Sequence, residues 1–343
     1  MTKQMKESFI DYIELDKLKI DDQISSAGEY YSDGVYIKKW KISNEDGEDD
    51  TSRSKDKYIS WIEKNGLLYS GTLNNQFKRD GYGLEIYKNG DKYFGQLDSD
   101  LRNENGIYYF SPVKNDENSD IVHSECYLGN WKNNLKDKNG IYIWVDQPEN
   151  NYLYDYANFD AYVGEFEDEK YLRGTYLTKI KNELFLYHGN FDKEGKKCDN
   201  EAYFFTSKTN KIFHGKINKD LLVCGFLGTF DEKGENLIKL VYCKFNDDGS
   251  VNDVIEENRF SEEDIEDEKK KITNFRSVIS DGDYFSKIYN KYIKIKAKID
   301  GISDLIGVLE REENIREVDK ILNKYKQKNI YYNIEENFYG REL

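Results

Sequence analysis

Three histidines and four cysteines are the side chains best suited to chemistry in this chain of 343 residues. Acid–base or nucleophilic catalysis needs such a group held beside a partner that orients it. His123 and Cys126 are close in sequence, but no third residue nearby orients them. His188 and His214 each stand one residue before a glycine, inside a motif that recurs along the chain. The cysteines at 126, 198, 224 and 243 form no CxxC pair, and they read as reduced, mostly buried thiols of a cytosol-like compartment. Gly81-Tyr82-Gly83 could suggest a nucleotide loop, yet Ile86 stands where GxGxxG needs its third glycine. There is no P-loop, GxSxG or HExxH, and the acidic stretch Glu45 to Asp50 lacks the alternating ligands of a calcium loop. Glu165 and Glu167 alternate as a solvated strand face would. The expectation is a protein with no catalytic residue, no cofactor and no metal site.

The elements that carry these residues come from a repeat. Aromatic-x-Gly recurs as Tyr69-Ser-Gly71, Tyr93-Phe-Gly95, Tyr127-Leu-Gly129, Tyr162-Val-Gly164, Tyr187-His-Gly189 and Phe213-His-Gly215. A second glycine follows ten or eleven residues later, at Gly81, Gly106, Gly140, Gly174 and Gly225; the fifth copy offers Asn200-Glu201-Ala202 instead. Short β-type runs such as Gly106-Ile-Tyr-Tyr-Phe110 and Gly140-Ile-Tyr-Ile-Trp144 come next. The unit reads as strand, polar turn, strand: one β-hairpin per repeat. A Tyr two residues before a Gly shares its face, so its ring is expected to cover the gap the glycine leaves, with the hydroxyl in water.

Composition sets further bounds. With 51 Lys+Arg against 66 Asp+Glu the net charge is −15, which disfavours nucleic acid and anionic membrane as partners. Tyr supplies 29 residues and Pro only two, and the 25 glycines suggest β-structure with recurrent Gly turns. No signal peptide is read at the start, and no apolar run approaches the roughly 18 residues of a membrane span. A soluble, intracellular protein is expected.

These residues resemble the MORN repeat, best in Tyr69-Ser-Gly71, Gly81-Tyr-Gly83, Tyr87 and Gly90-Asp91. Later copies carry Tyr108, Tyr142 and Tyr176 in the place read as that of Gly83. The resemblance implies a mainly β fold, an elongated twisted antiparallel meander used as a scaffold or targeting module, often cytoskeletal or ciliary. The structural positions it assigns are Tyr69, Gly71, Gly81, Gly83, Tyr93, Gly95, Gly106, Tyr127, Gly129, Gly140, Tyr162, Gly164, Gly174, Tyr187, Gly189, Phe213, Gly215 and Gly225.

Three regions follow: 1–65 as an N-terminal cap and polar loop, 66–250 as the repeat array, and 251–343 as an α-helical part. Within the first, 28–42 reads as two β segments and Phe9 to Leu15 as a short amphipathic element. Ser261-Glu-Glu-Asp264 and Ser280 to Asp283 are helix starts. Beyond them Ile288, Tyr292, Ile295, Ile299, Ile302, Ile306 and Leu309 form a heptad seam, resumed at Ile315, Val318, Leu322 and Tyr325. The seam either packs within the chain or pairs with another chain. Candidate partner contacts are Trp131 and Trp144 as exposed aromatics, with Ile295, Ile299, Ile302 and Ile306 on the seam; for Trp144, burial in the stack is the competing reading. The expected function is non-catalytic assembly through protein partners, with oligomerisation through the heptads as an option. Two other readings are a lipid-directed module, using Lys208, Lys211, Lys216 and Lys219, and an acidic inhibitor or immunity-type protein.

Overall fold

The computed structural model describes residues 24–32, 35–42, 58–64, 67–74, 76, 78–114, 119–149, 153–255, 259–280 and 283–311; for the first three segments and 301–311 it describes the backbone alone. The Phe9 to Leu15 element, the polar loop before Lys57 and the seam beyond Arg311 lie outside these residues. The strands are β1 Ile24–Ser32, β2 Val35–Ile42, β3 Tyr58–Lys64, β4 Leu67–Leu73, β5 Arg79–Ile86, β6 Lys92–Asp98, β7 Leu101–Tyr109, β8 Val113–Lys114 and β9 Ile121–Lys132. They continue as β10 Leu135–Pro148, β11 Asn158–Glu167, β12 Lys170–Ile180, β13 Glu183–Asn190, β14 Asp199–Thr206, β15 Lys211–Asn218, β16 Leu221–Phe230, β17 Leu237–Phe245 and β18 Val251–Ile255. Two helices follow, α1 Glu262–Ser280 and α2 Asp283–Arg311. The strands form one 18-stranded antiparallel meander, mainly β with a helical C-terminal part as expected. The two-residue β8 lies beside β9, and β7 pairs directly with β9. Because β1 to β3 join on before β4, strand pairing starts well before residue 66.

Glycines face glycines across the sheet. Gly71, Gly83, Gly95, Gly106, Gly129, Gly140, Gly164, Gly174 and Gly189 are successive cross-strand partners from β4 to β13. Gly215 pairs with Gly225 and, on its other side, with Ala202, whose methyl is the smallest side chain that fits. Tyr93, Tyr127 and Tyr162 each lie over their own glycine and the next one in the row. A Cβ on Gly140 would stand 2.5 Å from Cε2 and Oη of Tyr127. The hydroxyls are not left in water. Tyr93, Tyr127, Tyr162 and Tyr187 each donate to the main-chain carbonyl three residues on, at Gln96, Asn130, Glu165 and Asn190. That bond gives a buried hydroxyl the partner it needs.

The register corrects one assignment. Gly83, not Gly81, is the second glycine of the first copy, since Gly83 pairs with both Gly71 and Gly95. Gly81 has φ +76°, the left-handed conformation that Glu104 and Lys138 adopt two residues before Gly106 and Gly140. Glycine at that bulge avoids the Cβ strain its counterparts carry. Tyr108 and Tyr142 therefore match Glu85, and they are no departure from a glycine position.

A residue two after the first glycine completes the packing. Trp131 stands edge-on to Tyr93 and Tyr127, Phe166 to Tyr127 and Tyr162, and Phe191 to Tyr162 and Tyr187. Each ring so bridges two repeats, and such edge-to-face pairs add about 0.5–1.5 kcal/mol beyond burial.

The tight turns on one side of the sheet contain no glycine. Ser99-Asp100, Asn133-Asn134, Asp168-Glu169 and Lys219-Asp220 each place both residues at positive φ, matching the twist of a two-residue hairpin. The second residue of each reaches back to the preceding hairpin: Asp100 accepts from Arg79 N, Asn134 from Arg102 N, Glu169 from Lys136 N and Asp220 from Lys197 N. These side-chain bonds fix the register between repeats.

The opposite face carries Phe94, Ile107, Leu128 and Ile141, then Thr175, His188, Tyr203 and His214. Helix α1 covers its later part. Phe275 stacks on Tyr203 at 4.4 Å, Tyr203 stacks on His214 at 4.2 Å, and Glu268 pairs with His214. Arg276 donates to Gly234 O at 3.0 Å. Ser261 Oγ accepts from Asp264 N at 3.1 Å, as the capping signal predicts. At the start of α2, Tyr289 donates to Gln147 Oε1 at 2.9 Å. The sheet, α1 and α2 as far as Tyr292 form one compact unit, and the rest of α2 belongs to a second.

Candidate functional site: an acidic aromatic track

On the tyrosine face, the second aromatics of the hairpins form a line. Tyr87 to Tyr108, Tyr108 to Phe110, Phe110 to Tyr142, Tyr142 to Trp144 and Trp144 to Tyr176 are separated by 5.8, 4.7, 6.1, 4.2 and 6.3 Å between ring centres. Tyr142 is buried and the other five are half-buried, packed on the first tyrosines beneath. Carboxylates line this track. Tyr87 donates to Glu85 at 2.5 Å, Tyr108 to Asp91 at 2.8 Å and Tyr142 to Glu125 at 2.5 Å. Tyr176 bonds Asp160, and Thr178 donates to Asp160 at 2.5 Å.

Asp91, Glu125 and Asp160 each stand two residues before the first Tyr of copies two, three and four. Period-two alternation puts them on the tyrosine face. Sequence reasoning missed this Asp/Glu-x-Tyr-x-Gly pattern, although it was there to be read; the fifth and sixth copies have Phe185 and Lys211 instead. It also passed over the residue two after Gly, held by Leu97, Trp131, Phe166, Phe191 and Ile217.

A cleft of about 450 Å³ opens where the track meets the edge of β10 to β12, lined by His123, Trp144, Asp146, Asp160, Tyr176 and Lys179 among others. Trp144 sits directly between Glu125 on β9 and Asp160 on β11. His123 bridges Asp146 at 2.8 Å and Glu125 at 2.9 Å. Burial works against the imidazolium, but the bonds to both carboxylates outweigh it and raise the His123 pKa. With both ring nitrogens held by carboxylates, His123 is suited to carry charge rather than to act as a base. Burial, followed by Asp160, pushes the Tyr176 hydroxyl up to about 12.

The remaining sequence candidates fall elsewhere. Trp131 is buried at 5 % exposure, contrary to its reading as an exposed contact, because Tyr93 and Tyr127 enclose it and its indole donates to Gly106 O. Trp144 is half-buried on the track. Ile288, Tyr292, Ile295 and Ile299 are buried, while Ile302 and Ile306 lie on helical backbone beyond the described side chains. Lys211 and Lys216 sit at alternate parity on β15, so the proposed lysine stripe does not assemble on one face. Cys126 is buried with its thiol pKa raised by burial, on the opposite face of β9 from His123. All four cysteines are free. Among the described residues no cluster suits a metal ion, and no helix is long and apolar enough to cross a membrane.

A scan of protein-family models gives no match to this chain, and no curated protein matches it.

Proposed function

We propose that this chain is a non-catalytic assembly protein whose MORN-like hairpin array binds a protein partner along the acidic aromatic track. The observation that carries this reading is Trp144, half-buried between Glu125 and Asp160 beside an open cleft. Aromatic side chains over a rigid, packed floor are the usual anchors of protein interfaces, because few rotamers are frozen when they are covered. A cytoplasmic setting, in a cytoskeletal or ciliary complex, follows from the family resemblance alone.

The test is affinity capture and mass spectrometry with the full chain and its Trp144→Ala variant. Helix α1 packs on Tyr203 and His214, so point substitution is preferable to removal of residues 256–343. A partner held by the parent chain and lost by the variant supports the reading; identical partner sets overturn it. Flotation with anionic liposomes tests the lipid-directed reading, which salt-sensitive binding would revive.

A further inference from the structure

Three of the six track aromatics, Tyr108, Tyr142 and Tyr176, carry one of the chain's own cations. Arg102 lies over Tyr108 at 4.8 Å and over Trp131 at 4.5 Å. Lys136 lies over Tyr142 at 4.9 Å and pairs with Glu169. Lys197 lies over Tyr176 at 5.4 Å and reaches Asp220 at 3.5 Å. Each cation thus takes an aromatic face and an anionic or polar group from a neighbouring turn. The carboxylates are also supplied in part. Glu85 is paired with Arg79, and Asp91 accepts from Tyr108 and from Ser111 N. Glu125 has His123.

At the cleft Tyr176 has Lys197, but its neighbour Trp144 differs. Among the described residues no cation stacks on Trp144, and Asp160 receives hydroxyl donors without a cation. Lys179 lines the same cleft, but its ammonium is turned to Ala157 O at 2.7 Å and the Tyr154 ring at 4.7 Å. Burial lowers its pKa, with Asp155 acting in opposition. Asp146, which His123 holds, stands at the same mouth with its side chain 46 % exposed. The Trp144 ring, the Asp160 carboxylate and the His123-held Asp146 meet at a cleft of about 450 Å³, with room for a side chain, where no cation of the described residues lies over the indole or pairs with Asp160.

We propose that the cleft between Trp144 and Asp160 receives an arginine side chain from the partner, stacked on the indole and bonded to the carboxylates. Guanidinium suits this better than ammonium: it is planar, stacks on a ring face and can bond a carboxylate with two parallel N–H groups. The proposal rests on the protein-binding reading above and names the chemistry of the contact. A chain of net charge −15 also draws basic segments towards it.

The test uses the full ¹⁵N-labelled chain and three acetylated, amidated pentapeptides, Gly-Ser-X-Ser-Gly, with arginine, lysine or citrulline at X. The indole N–H signal of Trp144, assigned through Trp144→Phe, reports binding. Arginine peptide at millimolar concentration should shift that signal saturably, and citrulline, of the same shape but uncharged, should bind at least ~5-fold more weakly. Lysine should fall between them. Asp160→Asn keeps an acceptor for Thr178, and should weaken arginine binding by about 5-fold while leaving the melting temperature near the parent value. Equal shifts from citrulline and arginine, or no shift from arginine, would overturn the proposal. Should arginine fail while capture still depends on Trp144, the cation site falls and the protein-binding reading stands. Should arginine bind as expected while capture is unchanged, the partner docks elsewhere and the proposal that its arginine enters this cleft is overturned.

Discussion

The ring of Tyr127 occupies the space that a side chain on Gly140 would need: an added Cβ would lie 2.5 Å from Cε2 and Oη. Tyr127 is fully buried and its hydroxyl is held at Asn130 O, 2.8 Å away, so the ring cannot swing clear. Gly140→Ala should therefore destabilise the fold by about 1–3 kcal/mol through overpacking. Ala202→Gly, at the non-glycine position between Gly189 and Gly215, should cost only about 0.5–1 kcal/mol. Urea unfolding of both variants checks this.

Tyr127→Phe keeps the ring and deletes the donor to Asn130 O. The expected loss is about 1 kcal/mol, the net worth of one intramolecular hydrogen bond. The sixth copy does without this bond, since Phe213 stands there. Thermal melts of Tyr127→Phe and Tyr187→Phe should give similar values, because Tyr187 donates equivalently to Asn190 O.

The two tryptophans of the array should separate cleanly. Trp131→Ala removes a buried ring wedged between two tyrosines and should cost about 3–5 kcal/mol. Trp144→Ala removes a half-buried ring from the surface and should cost about 1 kcal/mol, the centre of the range for single substitutions. Denaturant midpoints distinguish these outcomes.

His188 makes a pH prediction. It is buried beside Thr175 Oγ1, 2.9 Å from Nδ1. Burial first and Arg173 second hold its pKa down at about 4 against an ordinary 6.5, with Asp199 opposing them. Above pH 6.5 the imidazole is neutral in both states. As pH falls from 6.5 towards 4 the unfolded chain takes up the proton first, so stability drops. A shift of this size corresponds to at most about 3 kcal/mol. His188→Gln should flatten the stability curve in that window, as read by urea midpoints at a series of pH values.

Helix α1 should behave as part of the sheet's unit. Phe275→Ala takes away the ring stacked on Tyr203 and should cost about 3 kcal/mol or more. A chain ending at Ile255 should lose cooperative unfolding, because Tyr203 and His214 would be uncovered; calorimetry reads this.

Local spacing carries much of the architecture. The Tyr-x-Gly hairpins, the helix starts at Ser261 and Asp283, and the strands within 28–42 are legible because period-two alternation and capping act within a few residues. What joins the repeats is less so. Gly81 and Gly83 are indistinguishable by residue type, and only cross-strand register separates the bulge from the row. Trp131 has the composition of an exposed hot spot, yet its burial depends on Tyr93, 38 positions away in sequence. The track itself depends on the Asp/Glu-x-Tyr-x-Gly pattern, which gains meaning once Tyr108, Tyr142 and Tyr176 are known to lie beside those carboxylates.

The most direct test of a partner on the acidic aromatic track is site-specific photocrosslinking in cells that naturally make this chain. Benzophenone-bearing phenylalanine would replace Tyr176 on the track or, separately, Val254 on β18, which is 51 % exposed and remote from the track in strand order. The account predicts a discrete protein adduct from the Tyr176 position that disappears when Trp144→Ala is added, and none of the same mass from the Val254 position. An adduct from the Val254 position alone, or one from the Tyr176 position that is indifferent to Trp144→Ala, would contradict it.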